Sequence, residues 1–102
     1  MSAPQQQPVR RALAVVFALQ GQTFHGLRLN QIASAVNESA PTTLRTLEVL
    51  ADEGIVERIA GREGYWRLGP RLVQLAIAHQ HEAHSLHQRV HEFDQRYSRL
   101  PT

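Results

Sequence analysis

Residues Asn30–Asp52, N-Q-I-A-S-A-V-N-E-S-A-P-T-T-L-R-T-L-E-V-L-A-D, decide the fold. They predict two short helices joined by a tight turn. Asn30 is expected as the first helix's N-cap, its side-chain oxygen accepting a free backbone N–H. Ile32, Ala33 and Val36 then recur at helical spacing. Asn37-Glu38-Ser39-Ala40 interrupts that pattern, and asparagine tolerates the left-handed backbone that a turn needs. Pro41 suits the first turn of a second helix, where its missing N–H costs nothing. Leu44, Leu47, Leu50 and Ala51 form that helix's apolar stripe. At about 100° per residue, Thr42, Arg45, Thr46 and Val49 fall on the opposite face. Hydroxyl, guanidinium and methyl groups on one helix face suit base edges and phosphates in a major groove. The spacing is that of a helix-turn-helix, although paired amphipathic helices also occur in bundles that bind no nucleic acid.

Downstream, Gly54 stops the second helix. Ile55–Ile59 and Tyr65–Leu68 are β-prone runs separated by the glycine-bounded turn Ala60-Gly61-Arg62-Glu63-Gly64. A hairpin directly after a helix-turn-helix makes a wing, and Leu27–Leu29 offers a third short strand. Arg62 at the tip suits phosphate or the minor groove. Trp66 is expected under the hairpin. The fold class expected is mainly α with a small β-hairpin wing, plus a long C-terminal helix.

These residues carry a family resemblance. The chain resembles the DNA-binding domain of the IclR family of bacterial transcription regulators. The matching pieces are Arg11-Ala12-Leu13, Gly26-Leu27-Arg28-Leu29, Thr42 with Arg45-Thr46-Leu47, Glu53-Gly54-Ile55-Val56-Glu57-Arg58 and Tyr65-Trp66-Arg67-Leu68-Gly69-Pro70-Arg71-Leu72. The resemblance spans roughly Pro8 to Ala78 and implies a winged-helix dimer that binds DNA. The family pattern through the turn, Gly then Pro-Lys-Ser, is replaced by Asn37 and Ser39-Ala40-Pro41, and Leu44 stands at an often polar position. The family's effector-binding domain has no counterpart before Thr102, so a stand-alone DNA-binding domain is expected, with no ligand sensing carried over.

At 102 residues and 42% apolar content, the chain is of one-domain size. Cysteine is absent, which excludes disulfides and thiolate metal sites and fits a reducing compartment. Positive charge comes from arginine alone, and the formal net charge is +2. Between Gly21 and Arg71, six arginines (28, 45, 58, 62, 67, 71) meet six acids (38, 48, 52, 53, 57, 63). DNA affinity therefore requires the arginines to be gathered on one side.

Residues 1–7 are polar and are expected to form a disordered arm. Residues 8–69 hold the winged helix-turn-helix, and residues 70–100 a dimerisation helix. The first helix runs from Pro8 to about Leu19. Leu13, Val16 and Phe17 line one side, and Ala12, Val15 and Leu19 the other. A helix apolar on both sides is expected to be buried on both, part of it against a second subunit. The periodicity and the lack of a cleavage site argue against a signal peptide, and no stretch approaches the ~20 apolar residues of a membrane span. Phe24 is expected to anchor the following loop in the core, with His25 solvated.

From Pro70 to about Ser98 a single helix is expected. Leu72, Ala76, His79, Ala83, Leu86, Val90, Phe93, Tyr97 and Leu100 follow a 4-3-4-3 spacing, a heptad stripe. A helix of ~45 Å outreaches a winged-helix domain. Its far half must pair with a second chain or break near Ala83–Ser85 and fold back; pairing is preferred, through Leu86, Val90, Phe93, Tyr97 and Leu100. His84, His87 and His91 share one flank, and two histidines one turn apart can chelate a metal. A metal-responsive regulator is thus an alternative to a solvated polar flank, but no cofactor is expected. No glycine-rich phosphate loop, cysteine nucleophile or nucleophile turn supports an enzyme.

The function expected is a sequence-specific DNA-binding repressor, a homodimer on double-stranded DNA, bacterial, cytoplasmic and nucleoid-associated. Its contact set is Ser39, Thr42, Thr43, Arg45 and Thr46 on the second helix of the pair and its cap, with Arg28, Arg58, Arg62 and Arg67 around the wing. Arg10 and Arg11 are candidate phosphate contacts. The competing class is a protein-interaction module on the same scaffold.

Overall fold

The computed structural model describes residues 7–98. The arm, up to Gln6, and Leu100 of the heptad stripe lie outside them. Helix α1 spans Gln7–Ala18, so it begins one residue inside the predicted arm. Strand β1 is Leu27–Arg28, helix α2 Leu29–Val36 and helix α3 Ala40–Asp52. Strands β2 (Val56–Arg58) and β3 (Tyr65–Leu68) form the hairpin, and helix α4 runs from Pro70 to Ser98.

Local chemistry sets each boundary. Helix α2 starts at Leu29, not after Asn30. The Arg28 N–H donates to Gln31 Oε1 at 2.9 Å, and that side chain does the capping expected of Asn30. Asn37 ends α2 in the left-handed conformation, φ 57°. There the N–H groups of Asn37 and Glu38 donate to the Ser34 and Ala33 carbonyls, closing the helix end. Ser39 caps α3, its hydroxyl accepting from the Thr42 N–H at 3.2 Å, with Pro41 in the first turn.

The sheet is antiparallel in the order β1-β3-β2. Leu27 stands opposite Trp66, and Glu57 opposite Arg67. Val15 and Leu19 of α1, Ile32 of α2, Leu47 of α3, Val56 of β2 and Trp66 of β3 form the buried core. Leu44, Leu50 and Ala51 pack against it, so the α3 stripe faces inward as expected. Gly26 admits no side chain. Its φ is +70°, and a Cβ there would run into the Trp66 carbonyl and the Ile59 side chain.

One expectation about burial is corrected. Phe24 is 87% exposed. The Gly26 N–H reaches back to the Gln22 carbonyl at 2.8 Å, and that tight turn holds Phe24 at its apex, away from the core. On α1 and at its end, Val15 and Leu19 are buried, while Leu13 and Phe17 of the other side lie open in the protomer, as does Val9.

Helix α4 is continuous through Ala83–Ser85, so the fold-back alternative does not occur. Its start is tied to the hairpin by the Gly69 N–H to the Ile55 carbonyl at 2.7 Å and the Arg71 N–H to the Gly54 carbonyl at 3.0 Å. Beyond that it projects, and none of its residues is buried. The radius of gyration is 20.3 Å, against roughly 13 Å for a compact domain of this length.

Candidate nucleic-acid interface

The outer face of α3 presents Arg45 and Val49 to solvent, with Thr42 and Thr46 half-exposed between them. Arg45 Nη2 donates to Thr42 Oγ1 at 3.3 Å. That contact steadies the guanidinium while leaving most of its five donors open. The Thr46 hydroxyl donates to the Thr42 carbonyl one turn back at 3.1 Å, so it offers only acceptor capacity outward. Between this face and α1 lies an open groove of about 490 Å³, lined in part by Pro8, Arg11, Thr42, Arg45 and Thr46.

Thr43 leaves the predicted contact set. Its side chain is fully buried, one turn before Leu47 on the inward face. Its Oγ1 has no hydrogen-bond partner. Leu44 is also turned to the core, so an apolar residue there costs the outer face nothing. Ser39 is exposed at the helix start, with its oxygen engaged by the cap.

The wing holds a second basic group. Arg62 lies 4.0 Å and Arg28 5.4 Å from the Tyr65 ring centre, bringing the turn, β1 and β3 together. Hydrogen bonding from Arg62 is the main cause that lowers the Tyr65 pKa below its ordinary value of 10.0, with the charges of Arg28 and Arg62 adding to it.

Three other arginines have partners within the chain. Arg67 Nε pairs with Glu57 Oε2 at 2.7 Å across the hairpin. Arg58 covers Trp66, 4.3 Å from the ring centre, with Nη2 3.8 Å from Glu48 Oε2. Arg11 Nε lies 3.4 Å from Glu38 Oε2, near enough for an ion pair but off-line for a hydrogen bond, and joins α1 to the turn. Among the described residues no ion pair engages Arg28, Arg45 or Arg62. The pairing of Arg58 and Arg67 was missed from sequence, because it depends on register across the hairpin.

The family model of the IclR helix-turn-helix domain matches residues 8–60. The chain belongs to the IclR helix-turn-helix family. No curated protein matches the chain. IclR-type domains are the DNA-binding parts of transcription regulators rather than enzymes, and the match takes in α1, the helix pair and β2. No helix among the described residues is long and apolar enough to cross a membrane. His84, His87 and His91 all lie exposed on α4, and among the described residues no three histidines or carboxylates are grouped to hold a metal.

Proposed function

We propose that this chain is a sequence-specific repressor that binds double-stranded DNA as a homodimer. One observation carries the reading: α3 and the wing, the two elements a winged helix lays against DNA, present Arg45, Arg28 and Arg62, to which no carboxylate is paired among the described residues. Thr42, Arg45 and Thr46 read the major groove. Arg28 and Arg62 hold phosphates or the minor groove, with Arg58 beside them. Arg67, tied to Glu57, orders the hairpin instead. The exposed stripe of α4 joins two protomers through Leu86, Val90, Phe93 and Tyr97. Repression follows from economy, since a bound dimer blocks its site without further parts.

The test is duplex binding at two salt concentrations, with the mass of the complex measured. A dimer whose affinity falls steeply with salt is expected. Arg45→Ala is expected to lose about tenfold to a hundredfold in affinity for a preferred sequence, with the dimer intact. Unchanged affinity would remove α3 from the contact. No binding at low salt would favour the interaction module.

A further inference from the structure

Beyond its clamped root, helix α4 offers its length to a partner, because none of it is buried in the protomer. Leu86, Val90, Phe93 and Tyr97 are each more than half exposed along one seam, and the Phe93 and Tyr97 rings lie 4.6 Å apart on it. The flanks of that seam carry the orientation. Glu82 and Arg89 stand one place before seam residues Ala83 and Val90; His87 and Asp94 stand one place after Leu86 and Phe93. In heptad terms the first two are g positions and the last two e positions.

We infer that α4 pairs in parallel and in register with α4 of a second copy of this chain. The inference rests on the homodimer reading above. In a parallel pair each g residue faces the e residue five places on in the partner helix. Glu82 then meets the partner's His87, and Arg89 meets the partner's Asp94. Both are opposite-sign or hydrogen-bonding pairs, and symmetry makes each twice. An antiparallel pair through the same seam sets g against g and e against e. It keeps Glu82 with the partner's Arg89 but lays Asp94 beside Val73 and Gln80 beside His87. The parallel arrangement satisfies all four flanking groups and also stacks His79 against its own copy. A single polar layer in an apolar seam is a register device. Because each winged helix is tied to the base of α4, parallel pairing sets both reading heads at one end, against adjacent half-sites of an inverted repeat.

The full chain has no cysteine, so single thiols report geometry without interference. In the parallel pair Ala76 and Ala83 each face their own copies, whereas the antiparallel register above sets Ala83 against the partner's Leu86 and Ala76 against the partner's Phe93. Under mild oxidation, Ala76→Cys and Ala83→Cys are both expected to give disulfide-linked dimers. No linkage of either variant by itself, with a disulfide only when Ala76→Cys is mixed with a Phe93→Cys chain, would overturn the parallel orientation while sparing the homodimer. No linkage in either variant, with a monomer mass in light scattering, would overturn the homodimer itself; a dimer mass with no linkage, by itself or in that mixture, would move the interface off α4. A charge swap supplies a second reading. Arg89→Glu is expected to weaken dimerisation about tenfold, and adding Asp94→Arg in the same chain to restore it. Failure of that rescue would overturn the pairing of Arg89 with Asp94.

Discussion

At the scale of single residues, Thr43 and Tyr65 carry the most information. Thr43 buries a hydroxyl with no partner in a close-packed site. Such a group costs about 1–3 kcal/mol relative to an apolar one of the same shape. Thr43→Val is therefore expected to stabilise the fold by about 1 kcal/mol, seen as a rise in Tm of roughly 5 °C. The burial was readable, because Thr43 and Leu47 are one helical turn apart and share a face. What hid it is composition, since a threonine beside Thr42 passes for a second surface hydroxyl. Tyr65 has a depressed pKa caused first by Arg62. A group lowered in this way adds stability only at alkaline pH, above its unfolded value, and loses it as pH falls through the folded one. It contributes nothing at neutrality. Ultraviolet titration of a Tyr97→Phe chain is expected to place the Tyr65 midpoint below that of a free tyrosine. Adding Arg62→Ala is expected to move it back up; an unmoved midpoint would place Arg62 elsewhere in solution.

At the scale of elements, the helix pair, the hairpin and α4 were all legible, each for a local reason. Pro41, Asn37 and Gly54 are punctuation whose backbone preferences hold in any context. Trp66 and the strand runs bury one face of a short sheet, which alternation reports well. The start of α2 was misplaced because Gln31, three residues into the chain's turn toward helix, does the capping by reaching back. Phe24 was misplaced because a side chain's hydrophobicity does not say where a turn aims it. The ion pair between Arg67 and Glu57 needed the strand register. Helix α4 was read as one span, and its polar seam residue gives a prediction of its own. His79→Leu is expected to tighten the dimer about tenfold while loosening its register, since polar seam residues trade stability for specificity. Sedimentation equilibrium measures the first effect; equal or weaker association would place His79 off the seam.

For the whole molecule, stability and concentration are linked. The core is drawn from α1, α2, α3 and the sheet, and α4 adds nothing buried to it. An isolated helix without a packed face is marginal in water. Dilution below the dimer's dissociation constant is therefore expected to lower the helical signal in circular dichroism, while Trp66 fluorescence, a report on the core, stays unchanged. A helical signal independent of concentration would mean that α4 holds its shape alone.

The hydrogen bonds from Gly69 and Arg71 to the hairpin have a mechanical meaning. They clamp the root of a rod about 43 Å long to the segment that directly follows α3. A tilt of about 5° at that clamp sweeps the far tip through roughly 4 Å over such a length. The converse holds as well: a displacement imposed at Tyr97 is geared down into a fine rotation of Thr42, Arg45 and Thr46. The chain is thus built as a lever, with its long arm projecting beyond the core and its short arm bearing the residues proposed to touch DNA.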